Sequence, residues 1–520
     1  MNIILVAINA KFIHSSLACY SLQAYVGKDK VSVKEFTVNQ QEDMIISELY
    51  GLRPDVLAFS CYIWNIEMVM SIVRTFKKIV PDVVIVVGGP EVSYEYADLY
   101  VQGVDIVVAG EGEGAFKELV DNFLSGQPVP SIYRPEEDAV ALRDIPFPYL
   151  NGFGGLKNRI LYYESSRGCA NRCGYCLAST TRGVRFLPME RVKSDLCAFL
   201  SAKVRQVKFV DRTFNCKKLH AMDIWTFLIE NDNGVSNFHF EIAGEMMDDE
   251  MIAIIRKARK GLFQFEIGVQ STNGKSLAEV YRKSDICKLM ENIRKLKAIG
   301  NTHLHLDLIV GLPYESHASF VKSFNDVMAA RPHQLQVGFL KMLKGSGLRK
   351  DAAKYGYKFK DNAPYEILEN NFMDFKTINK LKKIEHMVEL FYNSGGFQRY
   401  VEYMFRQFDT PYDFFDALAG YWGRHRYHLI AHKKSALYTI LFEFGGKGRL
   451  VSELLKFDML MRENLRTFPE WITAYYRYDA KRMTKTTATH TFEYDVFTYK
   501  NGENEVTFDY TIHAKILNKP

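Results

Sequence analysis

Short apolar runs rich in β-branched residues alternate with stretches of helical periodicity from the start of the chain. Strands are predicted at 2–8, 31–38, 56–60, 83–87 and 105–109. Most are nearly continuously apolar, as strands covered by helices on both faces should be. This alternation predicts a doubly wound, Rossmann-like parallel sheet over 1–130. Turn residues follow two of the runs, Gly88-Gly89-Pro90 and Gly110-Glu111-Gly112-Glu113-Gly114. A ligand is expected at those strand ends, where such folds bind.

Between 127 and 151 five prolines interrupt the pattern, which predicts an interdomain linker over 131–157. A second series follows, with strands predicted at 159–164, 206–210, 238–242, 263–269, 303–310 and 334–340, each separated by a helical stretch. Six such units predict a partial (β/α)6 barrel over 158–340. From 341 to 520 the pattern is mostly helical and rich in tyrosine and phenylalanine. It ends in alternating segments, Thr491-Phe-Glu-Tyr-Asp-Val-Phe-Thr and Glu505-Val-Thr-Phe-Asp-Tyr, that predict a β-hairpin. The fold class is therefore α/β, with a C-terminal domain for substrate binding or an accessory role.

The length of 520 residues fits two to four domains, and 47% hydrophobic with 25% charged residues is ordinary for a globular protein. A net charge of +6, from 67 basic and 61 acidic residues, does not point to a polyanionic partner. The amino terminus has no basic region ahead of its short apolar run, and no later run is long enough to span a bilayer. The expectation is a cytoplasmic protein with no membrane partner. Eight cysteines are too few for a disulfide scaffold, and three fall in one eight-residue window. A reducing compartment and a metal site fit that distribution.

Those three are Cys169, Cys173 and Cys176, at the spacing Cys-x-x-x-Cys-x-x-Cys directly after the first barrel strand. Three soft ligands so close can wrap one iron-sulfur cluster. With only three thiolates, a four-iron cluster keeps one iron open for an amino and a carboxylate group. The alternatives are a zinc site, which wants a fourth ligand although the next histidine is the distant His220, or three unrelated buried cysteines. Cys19, Cys61, Cys197, Cys216 and Cys287 are scattered and read as small core residues.

The run Arg167-Gly168-Cys169-Ala170-Asn171-Arg172-Cys173-Gly174-Tyr175-Cys176 resembles the signature of the radical S-adenosylmethionine (SAM) superfamily, with the aromatic Tyr175 before the third cysteine. Phe209-Val210-Asp211-Arg212-Thr213-Phe214-Asn215, Glu241, Gly268-Val269-Gln270-Ser271 and Asp307-Leu308-Ile309-Val310-Gly311-Leu312-Pro313 are similar to later family patterns, and the resemblance covers 155–340. It implies a [4Fe-4S] cluster on the three cysteines and SAM against Tyr175, Asp211, Glu241, Gln270 and Asp307. The family's Gly-Gly-Glu-Pro is absent, and Asp211-Arg212-Thr213-Phe214 looks like the variant of cobalamin-associated members. Each strand residue also has a plain alternative, a barrel-lining polar group that satisfies backbone hydrogen bonds.

The order of doubly wound sheet, proline-rich strap and cysteine-triad barrel resembles the cobalamin-binding radical SAM enzymes, of the class B methyltransferase-like kind. The resemblance implies a corrin over the strand ends lined by Ser60, Gly88, Gly89, Gly110, Glu111 and Gly112, where a bulky Cβ would collide with the nucleotide tail. The glycines fit a nucleotide phosphate or plain tight turns as well. The cobalt-ligating pattern Asp-x-His-x-x-Gly keeps only its histidine, His14, with Phe12 and Leu17 in place of the aspartate and glycine. His14 is therefore read as a residue near the corrin edge, with no protein histidine on cobalt.

By this resemblance the protein cleaves SAM reductively to a 5′-deoxyadenosyl radical and methylates an unactivated carbon through methylcobalamin. Electrons would come from a reductant such as flavodoxin or ferredoxin, and the chain would act as a monomer. The alternatives are a rearrangement, cyclisation or sulfur insertion without methyl transfer, or a non-catalytic redox or cobalamin-sensing protein. The substrate class stays open among small molecule, peptide and RNA, and no catalytic side chain is assigned. In the C-terminal region Tyr475-Tyr476-Arg477-Tyr478 and Phe414-Phe415-Asp416 suit a pocket lining, base stacking or plain core, and Lys481-Arg482-Met483-Thr484-Lys485 suits a solvated turn.

Overall fold

Strands β1 (Ile3–Asn9), β2 (Val31–Thr37), β3 (Val56–Ser60), β4 (Val84–Gly88), β5 (Ile106–Val108) and β6 (Ile132–Tyr133) form one sheet in the order β2-β1-β3-β4-β5-β6, and every pair is parallel. The computed structural model describes all residues except 137–138, 151, 157, 182, 463–464, 466–467, 474–479, 484–485, 512–514 and 517–520, together with the side chains of 480–483. Helices α1 (Leu17–Val26), α2 (Glu42–Gly51), α3 (Ile66–Ile79), α4 (Ala97–Val101) and α5 (Gly112–Ser125) follow the first five strands.

All seven residues of β1 are buried. Alternation divides them between two cores: Ile4, Val6 and Ile8 pack with Ile45, Ile46 and Leu49 of α2 and Val69, Val73 and Phe76 of α3. Ile3, Leu5 and Ala7 pack with Cys19 of α1 and Phe116, Leu119 and Val120 of α5. Each such side chain, fully removed from water, stabilises by about 1.5–3 kcal/mol, so a central strand must be apolar throughout. Strand order reverses between β1 and β3, the crevice where open sheets of this kind take ligands.

The predicted linker is more ordered than its prolines suggest. Its residues 132–133 supply β6, and Phe147 and Tyr149 are buried against Phe199 at 5.3 and 5.6 Å between ring centroids. Proline removes helical periodicity but leaves aromatic side chains free to anchor the strap.

The second sheet contains β7 (Ile160–Tyr163), β10 (Gln206–Phe209), β11 (Asn237–Ile242), β12 (Phe263–Gln270), β13 (His303–Val310) and β14 (Gln334–Phe339), in that order. The pairs from β7 to β13 are parallel, as a partial barrel requires. Between β7 and β10 lies a short antiparallel hairpin of β8 (Ser166–Gly168) and β9 (Val184–Phe186) that the apolar pattern did not foretell. On β12 burial alternates strictly: Phe263, Phe265, Ile267 and Val269 are buried beneath the helices, while Gln264, Glu266, Gly268 and Gln270 are half-buried on the other face. Residues 1–319 and 338–375 make one compact unit, so the stretch after 341 that was expected in the C-terminal domain belongs with the barrel as far as 375.

The second unit comprises 320–337 and 376–520. Its helix Arg449–Leu460 is buried from Val451 to Leu460, and Leu454, Phe457 and Leu460 pack on Phe492, Val506 and Phe508 of an antiparallel sheet. That sheet has four strands, Ala480–Met483, Thr487–Tyr494, Asn501–Asp509 and Lys515–Ile516, where a two-stranded hairpin was expected. Phe414 and Phe415 are fully buried core residues. Tyr475 to Tyr478, and the side chains of Lys481 to Lys485, lie outside the described residues.

Candidate active site

The β8–β9 hairpin carries all three cysteines of the triad in the loop that joins its strands. Gly168 closes the neck with φ +101°, and a Cβ there would stand 2.2 Å from the Gly183 carbonyl oxygen, so only glycine fits. Cys173 is buried and Cys169 and Cys176 half-buried, all three as free thiols. Burial pushes the Cys176 thiol up, and the neighbouring Cys173 and Cys169 add to that rise. Asn171 N donates to Cys169 Sγ at 3.4 Å, Thr213 Oγ1 lies 3.5 Å from the same sulfur, and Arg282 Nη1 approaches Cys173 Sγ at 3.9 Å.

This donor set fits an iron-sulfur cluster. Three thiols share one loop, electropositive donors surround their sulfurs, and bound iron would supply the charge that ionises them. Among the described residues no three His, Cys, Asp or Glu side chains converge on a single-ion site. Cys216 sits closer to the triad than its isolation in the sequence suggested, and Cys169 and Asp211 both bear electrostatically on it.

The residues expected to face SAM separate into two groups. Glu241, Gln270 and Asp307 are half-buried on the inner faces of β11, β12 and β13. Burial pushes the Glu241 carboxyl up to about 7, against the opposing pull of Arg212, with Glu266 adding to the rise. Burial also raises Asp307, while His305 Nε2, 3.2 Å from its Oδ1, opposes the rise. Gln270 adopts φ +67° at a register shift between Gly268 and Gln270. Tyr175 stands beside Arg282 and Cys173, and burial holds its phenol well above the ordinary value.

Asp211 belongs to a different group. Its carboxylate is 1% exposed and accepts Ser165 N at 3.0 Å, Ser165 Oγ at 2.6 Å and Ser166 Oγ at 2.5 Å. Both oxygens are taken by the chain that leads into β8. Asp211 thus orients the entry to the cluster hairpin through Ser165 and Ser166. The next residue, Arg212, is exposed and bears electrostatically on Cys176, Glu241 and Tyr62. Sequence reasoning passed over it and over Arg282, because an isolated arginine carries no pattern.

At the strand ends of the first sheet, Gly110 has φ +90° and nothing within 4 Å of a would-be Cβ, which leaves open space beside β5. Gly88 and half-buried Ser60 sit opposite one another at the ends of β4 and β3. Gly89 has a reason internal to the protein: at φ +111° its Cβ would meet the Cys61 carbonyl at 2.6 Å. Gly112 begins α5, where a Cβ would just touch Leu22 at 3.4 Å. After β3, Tyr62 stacks on the half-exposed Trp64 at 4.3 Å and 7° between rings, an aromatic ledge that the glycine pattern did not reveal. Open space beside small residues, flanked by a flat aromatic pair, fits the planar bulk of a corrin.

Glu111 and His14 each meet a residue of the cluster hairpin or of β7. Glu111 pairs with Arg167, Nη1 to Oε2 at 3.2 Å, and with Arg185. His14 Nδ1 lies 2.7 Å from the Tyr162 hydroxyl on β7. Burial, then Lys11, Lys208 and Arg159, depress the His14 imidazole below its ordinary range. The ring is thus neutral at pH 7 and engaged with the barrel.

Comparison with known proteins agrees with this arrangement. Residues 3–120 match the B12 binding domain model, 163–327 the Radical SAM superfamily model, and 353–511 a family of unknown function, DUF4080. The chain is 27% identical over 435 residues to the 2-(S-pantetheinyl)-carbapenam-3-carboxylate methyltransferase of Streptantibioticus cattleyicolor, across 71% of this chain and 62% of that protein. It is 27% identical over 329 residues to the cobalamin-dependent radical SAM methyltransferase TokK of Streptomyces tokunonensis, across 54% and 46%. It thus spans roughly half to three fifths of these relatives' own length. The structure of the cobalamin-dependent SAM radical enzyme OxsB with aqua-cobalamin shares the fold at TM-score 0.61 and 15% identity, over 91% of this chain and 83% of that one. No helix among the described residues is long and apolar enough to cross a membrane. The chain thus carries a radical SAM domain over 163–327, with a B12-binding domain ahead of it and a DUF4080 region behind it.

Proposed function

We propose that this protein is a cobalamin-dependent radical SAM C-methyltransferase that acts on an unactivated carbon. The observation that carries the reading is the placement of Cys169, Cys173 and Cys176 on the single loop between β8 and β9, in a chain whose residues 3–120 match the B12 binding domain model and 163–327 the Radical SAM superfamily model. The two methyltransferase relatives support the same reading.

When bound, the cluster supplies the electron that cleaves SAM to a 5′-deoxyadenosyl radical, and cobalamin supplies the methyl group. The chain's own residues provide position and exclusion of water. Cys169, Cys173 and Cys176 hold the cluster, and Arg282 stabilises thiolate charge at Cys173. Asp211 fixes the hairpin entry through Ser165 and Ser166. Glu241 and Asp307 would supply carboxylates to the cationic groups of bound SAM. Lys208 and Glu266, joined at 2.9 Å, tie β10 to β12. A reductant of the flavodoxin or ferredoxin class delivers the electron.

The test is anaerobic reconstitution with iron, sulfide and methylcobalamin, followed by incubation with SAM, reduced flavodoxin and fractionated metabolites of the source cells. S-adenosylhomocysteine formed together with 5′-deoxyadenosine, and abolished in a Cys169→Ala, Cys173→Ala, Cys176→Ala variant, is the expected result. Substrate-dependent 5′-deoxyadenosine without S-adenosylhomocysteine would replace methyl transfer by a rearrangement, cyclisation or sulfur insertion. No SAM cleavage with any fraction would favour a sensing role.

A further inference from the structure

Glu111, at the end of β5, engages the neck of the cluster hairpin. Glu111 stands one residue ahead of α5, yet its side chain makes no capping hydrogen bond to that helix. Its carboxylate reaches instead to Arg167 Nη1 at 3.2 Å and to the Arg185 guanidinium. Those two arginines occupy facing positions on β8 and β9, the strands from which the cluster loop emerges.

Two like charges directly opposite each other across an antiparallel pair destabilise it. An anion that bridges the two guanidiniums relieves that repulsion at the neck of the cluster hairpin, and Glu111 contacts both. Arg167 receives further compensation, from Glu113 Oε1 at 2.7 Å and Glu164 Oε2 at 2.8 Å. The side chains of the Arg167, Glu111 and Arg185 cluster are 17–24% exposed, which spares them full solvent screening. Next to Arg167 the neck is already as tight as backbone allows, with Gly168 against the Gly183 carbonyl. The B12-binding domain touches the same loop a second time, through Tyr94 Oη, 3.0 Å from Thr180 Oγ1.

We propose that Glu111 is a positioning residue for the iron-sulfur cluster: from the B12-binding domain it clamps both strands of the cluster-loop neck through Arg167 and Arg185. The corrin domain thereby sets the spacing of the thiolates, and the cluster loop is complete only when that domain is docked. This inference goes beyond the proposed reaction and holds whatever happens to the substrate radical.

The test uses the full-length protein, reconstituted anaerobically, with Glu111→Gln and Arg185→Gln as separate variants and circular dichroism melting as a check of fold. Three properties are read: loss of iron to an iron(II) chelator, the electron paramagnetic resonance line shape of the dithionite-reduced cluster without SAM, and hydroxocobalamin affinity by absorbance titration. The clamp predicts iron lost about tenfold faster and a changed line shape in both variants, with cobalamin affinity within twofold of the parent. Glu111→Asp, which keeps the charge but shortens the reach, should fall between Glu111→Gln and the parent. Weakened cobalamin binding in Glu111→Gln with cluster properties unchanged would overturn the proposal and return Glu111 to the corrin lining. So would parental behaviour of Glu111→Gln and Arg185→Gln in all three properties, or equal loss of cluster and corrin, which would mark a general domain contact.

Discussion

Lys208 Nζ meets Glu266 Oε2 at 2.9 Å over the face of the barrel sheet, although β11 stands between their strands. His239 of that intervening strand adds its Nε2 at 3.0 Å from the same oxygen. Burial alone would push the Glu266 carboxyl up, yet His239 and Lys208 hold it well below the usual carboxylate range. Lys208→Met removes the cation and leaves a largely buried carboxylate with a neutral imidazole. The expected loss is about 2 kcal/mol, reduced for the residual exposure of both side chains, and Lys208→Met with Glu266→Gln should recover part of it. Urea unfolding followed by circular dichroism checks both.

Glu241 gives a pH signature for cofactor binding. Its carboxyl, pushed up to about 7 by burial, is largely protonated at pH 6 and largely ionised at pH 8. SAM affinity, which gains from an anion near its cationic groups, should therefore rise severalfold between those pH values. Glu241→Gln should flatten that rise. Equilibrium dialysis with radiolabelled SAM at a series of pH values measures it, and an unchanged slope in the variant would remove Glu241 from the SAM contacts.

Gly168→Ala should prevent cluster assembly with little effect on the B12-binding domain. The added Cβ would lie 2.2 Å from the Gly183 carbonyl at a backbone angle that L-residues rarely adopt. Iron per chain after reconstitution should fall severalfold, while cobalamin binding stays near the parent value. Gly89→Ala, whose Cβ would meet the Cys61 carbonyl at 2.6 Å, should show the reverse.

The second unit carries its own titration. Asp458 is buried and accepts the N–H groups of Arg399 and Tyr400 at 3.0 Å each, yet burial pushes its carboxyl up to about 7. A carboxyl raised in the folded state stabilises fully below its unfolded value near 4, and that contribution is lost as pH rises to 7. Up to about 4 kcal/mol follows from a rise of this size. Asp458→Asn should remove this pH dependence, read as the difference in unfolding free energy between parent and variant from pH 4 to pH 8.

The parallel sheets were legible because burial on both faces makes β1 apolar throughout, while burial on one face gives β10 and β12 a period of two, so β1 and the strands from β10 to β13 announced themselves within a residue or two. The cysteine triad was legible because ligand spacing lies within one loop. What escaped depends on side chains that meet from distant parts of the chain. The hydrogen bonds of Asp211 to Ser165 and Ser166, 46 and 45 residues away in the chain, leave no mark in the sequence. Arg167 and Arg185 are ordinary surface residues in one dimension and a repelling pair in three. The β8–β9 hairpin escaped for another reason: three-residue strands such as Ser166–Gly168 are too short to show a period.

The turn after β1 leaves its own sheet and continues along the edge of the other. Ile160 N donates to Ile13 O at 2.7 Å, Ser15 Oγ donates to Ile160 O at 2.9 Å, and Arg159 joins Glu35 in a buried ion pair. The corrin-bearing sheet is thus sewn to β7 along one border, and at the end of β5 Glu111 and Glu113 fasten it again to Arg167. The cleft is held like a picture in a frame, fixed at both sides, so a bulky guest has to fit the opening that is there. Hydrogen exchange should accordingly be slow both at Ile160 and in the β8–β9 neck.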